Sequence, residues 1–510
     1  MRLFSNIMTV GAWTLFSRIL GMGREVLFYT MIGVGPVLDA FIVAFRLPNM
    51  FRRFFAEGAF NAAFVPMFSK QVENDQSPNE FASQSFGWLS AILIVFTTLA
   101  IIFMPGLVWV TAGGFSNDTR FDLAVQYGRI IFPYIFLISL AALLSGVLNS
   151  KGHFSMAAAA PVVLNILIIL AIGIAWLSDQ PAITLLVWSI PLAGVLQLSL
   201  LWNAVRKSGV NITIARPRLS PEMGHLLKIA FPAALANGVV QINLLVGQIV
   251  ASFSPGAVSW LYGADRLYQL PLGVVGTAVS IVLLPELSKR LQANDDIGAK
   301  TAFCRAGEIS FALTFPAAVA LFFVPFPMVS ALFEHGATHR SDAEAMAFAC
   351  AIYGLGLPAF ILQKLLQPLY FAREDTRTPF IYAILAMLVN GVLAVGLMPY
   401  FGWISAAIAM SVSSWVMVIL LRYGAQKFGA TAQFGTQTKT RFLRIAIASL
   451  VMGTILWIGD LYLGPMMQTS VMRVFYGAGI VVAGIALYLF FVQLNGGLSL
   501  GELRSSTRRP

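Results

Sequence analysis

Near its end the chain reads VFYGAGIVVAGIALYLFFV (474–492), and an earlier stretch reads WLSAILIVFTTLAIIFMPGLVWV (88–110). Each is an apolar run of the ~20 residues that an α-helix needs to cross a hydrocarbon core. A membrane barrel would instead alternate apolar and polar residues over ~10-residue segments. Hydrophobic residues make up 58% of the 510 and charged residues 11%, too few charges to cover a water-soluble domain of this length. Soluble enzymes, disordered chains, coiled coils and disulfide scaffolds are excluded. The expectation is an all-α polytopic membrane protein.

Fourteen spans are expected, near 7–33, 37–65, 86–112, 124–149, 155–178, 182–205, 224–251, 257–287, 303–333, 343–371, 379–399, 402–424, 442–463 and 472–494. Gly and Pro punctuate them at GVGP (33–36), SFSPG (252–256) and MPYFG (398–402). With a cytoplasmic N-terminus, Lys and Arg favour the cytoplasmic connections by about five to one, as a positive-inside pattern requires. Arg206, Lys207, Arg216, Arg218, Lys289, Arg290, Arg373, Arg377, Lys439 and Arg441 lie on that side, and Arg120 and Arg340 on the other. Both termini are then cytoplasmic. The first apolar stretch holds Arg18 and Arg24 and lacks a small-residue cleavage site, so it does not read as a cleavable signal. The net charge of +11 matches an anionic cytoplasmic leaflet and is no argument for nucleic acid.

Weak internal repetition divides the chain. FVPMFSK (64–70) is echoed by VLLPELSK (282–289), and FMPGLVWV (103–110) by FVPFPMVSALF (323–333); Asn165 and Asn390 keep a similar spacing. The reading is a lobe of six helices over 1–206, a second over 207–427, and two added helices with a tail over 428–510. Paired six-helix halves with a substrate site between them are a transporter architecture.

Ionisable residues inside spans mark function, because each costs about 2.5–3.5 kcal/mol near a helix centre. They concentrate in spans 1 and 2, as Arg18, Arg24, Glu25, Asp39, Arg46, Arg52, Arg53 and Glu57, and recur as Asp265, Arg266 and Lys364. Ser17, Gly21 and Arg24 share one helical stripe; Asn49, Arg52, Arg53 and Glu57 form a second, and Ser259, Tyr262, Arg266 and Gln269 a third. Basic groups outnumber acidic ones. Several guanidinium groups and few carboxylates suit a phosphate or diphosphate, whose oxygens an Arg fork grips two at a time. Arg46 and Arg53 also read as ion-pair partners inside the bundle, and Glu25, Asp39 and Glu57 as carboxylates that orient arginines.

Other patterns carry less. Cys304 and Cys350 imply no disulfide. Glu334, His335 and His339 have helical spacing for zinc, but Gly336 interrupts them and no third ligand is evident. No metal and no cofactor is expected. No phosphate-binding G-x-x-x-x-G-K-[ST] loop occurs, so a coupling ion or the membrane potential is the expected drive.

Three segments, FSRILGMGRE (16–25), LDAFIVAFRLPNMFRRFFAEGAFNAAFVP (38–66) and ADRLYQLPLGVVGTAVSIVLLPELSK (264–289), resemble the MurJ (MviN) lipid II flippases of the multidrug and oligosaccharidyl-lipid exporter superfamily. The resemblance extends over the whole chain. It implies two six-helix lobes around a central cavity, two C-terminal helices forming a lipid-facing groove, and transport without catalysis. It further implies that Arg24, Arg52 and Arg266 bind the diphosphate, with Ser17, Arg18, Asp39, Asn49 and Glu57 at polar family positions. Glu25 stands where the family usually carries Asp. The implied substrate is undecaprenyl-diphosphate-MurNAc-pentapeptide-GlcNAc, moved from the cytoplasmic to the outer leaflet of a bacterial inner membrane. Another polyprenyl-diphosphate glycan satisfies the same chemistry. A cation-coupled drug antiporter would call for an acidic cavity, and a scaffold without transport would not need the arginines.

Overall fold

A computed structural model of the chain describes residues 2–52, 59–74, 77–213, 216–218 and 220–497. Among these the regular elements are all helical: eighteen α-helices and a few short 3₁₀ turns. They run α1 (Arg2–Met31), α2 (Pro36–Arg52), α3 (Ala59–Glu73), α4 (Pro78–Ile102), α5 (Met104–Thr111), α6 (Thr119–Ile131), α7 (Tyr134–Ser150), α8 (Phe154–Ser178) and α9 (Ala182–Lys207). Then come α10 (Pro221–Ser252), α11 (Ala257–Gln292), α12 (Asp296–Phe323), α13 (Pro325–Phe333), α14 (Arg340–Phe371), α15 (Arg377–Phe401), α16 (Ser405–Gly424), α17 (Thr436–Leu463) and α18 (Ser470–Leu494).

Proline explains why expected spans meet more than one helix. It has no N–H to donate and its ring clashes with the preceding turn. Pro105 follows the break at Phe103 between α4 and α5, Pro133 separates α6 from α7, and Pro325 follows the break at Val324 between α12 and α13. The repeated FMP and FVP motifs therefore do the same thing twice: a long helix stops and a short one continues. Nine segments among the described residues are long and apolar enough to cross a membrane, one of them (Arg377–Ala432) holding both α15 and α16. The chain is a multi-pass membrane protein.

Some helices start earlier than hydropathy suggests, because polar residues in their first turns have tertiary partners. On α4, Asn79 Oδ1, Ser83 Oγ and Gln84 Oε1 accept the backbone N–H groups of Asn211, Thr213 and Arg218 at 3.2, 3.0 and 3.2 Å. Trp88 Nε1 returns a bond to the Arg218 carbonyl at 3.0 Å. The connection after α9 is thus strapped along α4.

Two compact units emerge, Met1–Ser259 and Trp260–Pro510. In the first, α8 packs between α1 and α9, α7 packs on α9, α2 on α6, and α3 on α7 and α10. Phe64, Phe68 and Phe81 stack in its core at 5.4 and 5.7 Å. In the second, α14 packs on α12 and α16, α15 on α16, and the α17–α18 pair on α12 and α13. Small residues let helices approach in both units, as expected inside a bilayer where close packing drives association. A Cβ on Gly194 would lie 2.9 Å from the Leu137 side chain at the α7–α9 contact. One on Gly356 would lie 3.1 Å from Ser411 Cα at the α14–α16 contact.

Candidate functional site

In the first unit Asn165 of α8 joins the polar stripe of α1. Asn165 is buried; its Nδ2 donates to the Ser17 carbonyl at 3.0 Å and to Ser17 Oγ at 3.3 Å. Its Oδ1 accepts from Arg24 Nη1 at 2.9 Å. Arg24 Nη2 pairs with Glu25 Oε1 at 2.5 Å. The guanidinium carbon lies 5.5 Å from the Phe28 ring centre and 5.7 Å from that of Phe45 on α2, within reach of a cation–π attraction. Arg24 Nε is buried with no hydrogen-bond partner among the described residues. A guanidinium gripped at both outer nitrogens is fixed in orientation while keeping its charge. Asn165 was legible only as a marker of the repeat.

The remaining expected residues of spans 1 and 2 divide. Arg18 is exposed on α1, and Arg52 and Asn49 are half-buried at the end of α2. Asn49 Nδ2 donates to the Phe45 carbonyl at 2.9 Å. Arg53 and Glu57 lie outside the described residues. Arg46 donates to Gln248 Oε1 at 3.2 Å, and Gln248 Nε2 to the Thr111 carbonyl at 3.0 Å.

Asp39 meets an arginine from outside spans 1 and 2. It is fully buried. Its Oδ1 accepts from Ser259 N at 2.9 Å and Ser259 Oγ at 2.7 Å, and its Oδ2 from Gly256 N at 2.8 Å. The arginine that it faces is Arg120, at 3.4 Å. Arg120 in turn pairs with Asp118 at 2.6 Å and covers the Phe115 ring at 4.3 Å. Ser259, expected to line a cavity of the second lobe, instead spends its hydroxyl on Asp39 and is buried within the first unit. Hydropathy had placed Arg120 as an ordinary loop charge; nothing local in the sequence signals a partner 81 residues away.

In the second unit Arg266 is half-buried on α11, 4.3 Å from the ring centre of Tyr262 one turn earlier. Asp265 accepts from Gln269. Tyr268 joins α11 to α14 through Tyr353 and Phe360, each at 5.4 Å between ring centres. Lys364 is exposed on α14, and its stem lies 3.6 Å from where a Cβ on Gly276 of α11 would be. The Glu334–His335–His339 string is used elsewhere: Glu334 pairs with Arg473 at 3.4 Å, His335 Nε2 meets the Ala331 carbonyl at 2.9 Å, and His339 caps α14 with Asp342.

A family model described as lipid II flippase MurJ matches residues 28–476. A probable lipid II flippase MurJ of Rhizobium meliloti (strain 1021) is 41% identical over all of this chain and 97% of its own length. A lipid II flippase MurJ of Burkholderia cenocepacia is 34% identical over 84% of this chain and 85% of its own. Among solved structures, a lipid II flippase MurJ in an inward closed conformation superposes with a TM-score of 0.81 at 28% identity, covering 96% of this chain and 98% of that one. A multidrug-resistance MATE family transporter of the MOP superfamily, inward-facing, shares the fold at a TM-score of 0.71 and 15% identity.

Proposed function

The chain belongs to the MurJ family of lipid II flippases, and on that footing we propose that it carries lipid II across a bacterial cytoplasmic membrane by alternating access. The cytoplasmic leaflet loads the diphosphate head group, the outer leaflet receives it, and the polyprenyl tail stays among the acyl chains. Arg24, Arg52 and Arg266 take the diphosphate oxygens, and Arg18, Ser17, Asn49, Asp265 and Lys364 are the further polar residues assigned to the substrate. No bond is made or broken, so neither metal nor cofactor has a step. Both termini face the cytoplasm, and a coupling ion or the membrane potential drives the cycle.

The observation that carries this reading is the charge balance of spans 1 and 2. Asp39 is engaged by Arg120, and these spans carry Arg18, Arg24, Arg46, Arg52 and Arg53 against Glu25, Asp39 and Glu57. That surplus favours a polyanionic head group over a cationic drug. In a strain depleted of its own flippase, expression of this chain should restore lipid II to the outer leaflet. Unchanged sidedness at a normal protein level would overturn the assignment.

A further inference from the structure

Two kinds of cation stand where α16 ends and α17 begins. Lys427 pairs with Asp375 at 2.9 Å and Arg441 with Glu308 at 2.7 Å. Arg422 and Lys439 have no carboxylate within ion-pair distance among the described residues, and both line one cavity of about 350 Å³. Gln426, Gln433 and Phe434 line it too, and no acidic residue does.

Arg422 is held in place there. Its Nη1 donates to the Ala432 carbonyl at 3.2 Å, and its guanidinium carbon lies 5.3 Å from the Phe434 ring centre. Phe434 is itself wedged between Phe303 at 4.9 Å and Phe442 at 5.1 Å. Each cation also heads an exposed apolar stripe. On α17, Lys439 is followed at helical spacing by Leu443, Ile447 and Leu450; on α16, Arg422 is preceded by Ile419, Trp415 and Val412.

We propose that this cavity binds the phosphate group of an anionic phospholipid. Arg422 forks onto two phosphate oxygens, Lys439 adds its charge, and the Gln426 and Gln433 amides supply further donors. The acyl chains run along the two stripes. Inorganic phosphate offers the same head-group chemistry; the stripes are what select a lipid.

The test uses the purified full chain in detergent, titrated with phosphatidylglycerol or phosphatidylcholine and read by native mass spectrometry, with and without millimolar inorganic phosphate. Phosphatidylglycerol should be retained preferentially, and an Arg422→Gln/Lys439→Gln variant should retain it about tenfold less. Arg422→Lys should fall between. The phosphate arm should leave most of the lipid bound. Equal retention by the double variant, or equal retention of phosphatidylcholine, overturns the site. Complete displacement by inorganic phosphate overturns the lipid as occupant. If the double variant melts below the wild type, Lys439→Glu, at an exposed position, carries the same test alone.

Discussion

Asn165 joins Arg24 to the backbone of its own helix: Oδ1 accepts from Arg24 Nη1 at 2.9 Å while Nδ2 donates to the Ser17 carbonyl at 3.0 Å. One amide thereby both ties α1 to α8, beside the bond from Trp13 Nε1 to Ser155 Oγ at 3.2 Å, and holds the direction of a guanidinium. Asn165→Leu should weaken diphosphate-dependent transport about tenfold or more, since a hydrogen bond to a charged group contributes about 1.5–3 kcal/mol. The outer-leaflet lipid II assay reads the effect, with Asn165→Asp retaining more because Oδ1 is kept. Normal transport by the leucine variant would mean that Arg24 needs no such positioning.

At the proposed diphosphate site, Arg24→Ala, Arg52→Ala and Arg266→Ala should each abolish rescue of a depleted strain. Arg24→Lys should also fail or be clearly impaired. A lysine carries one ammonium and cannot bridge Glu25 and Asn165 while presenting a fork. Full rescue by all three alanine variants, at normal membrane levels, would remove the cluster from the mechanism.

The Asp39–Arg120 pair makes a stability prediction. Both side chains are almost completely buried, and removing one partner of a buried pair costs about 3–5 kcal/mol. Asp39→Ala and Arg120→Ala should each lower the melting temperature in detergent, and the double variant should lose much less than the sum. Strict additivity would show that the two residues are not coupled. Asp39→Asn should be milder, since its carbonyl oxygen can still accept from Ser259.

Asp375 gives a pH signature outside the spans. The hydrogen bond from Lys427, then those from the Thr378 amide and hydroxyl, hold its carboxyl below the usual range against a small opposing effect of burial. A carboxylate depressed in the folded state stabilises it fully above the unfolded pKa of about 3.9 and loses that contribution as the pH falls further. Melting temperature should therefore drop below about pH 4, and Lys427→Gln should flatten that part of the profile. High salt should shrink the difference, because Lys427 is half exposed. An identical profile for the variant would exclude the pair as its source.

Orientation is checked by reporters. One fused after residue 510 or inserted between 206 and 223 should be cytoplasmic, and one inserted at 113–122 should be outside. Reversed signals at all three would invert the arrangement of the basic connections.

The amino-acid sequence by itself determined the membrane, the helical class, where many helices end and the family. Hydropathy is a sum over neighbours along the chain, and proline acts on its own turn, so both are local quantities. Even the extra helix breaks at Phe103 and Val324 sit in motifs visible as a repeat. The stripe of Ser17, Gly21 and Arg24 was legible for the same reason, since helical periodicity places them on one face. What tertiary structure alone decided is which polar group meets which. Asp39 could have faced any arginine of spans 1 and 2, yet it faces Arg120, with Ser259 and Gly256 completing its shell. Arg24 finds Asn165 across 141 residues. A buried charge in low dielectric must take whichever partners the packed helices bring within about 3 Å, and that choice belongs to helix packing, not to any window of sequence.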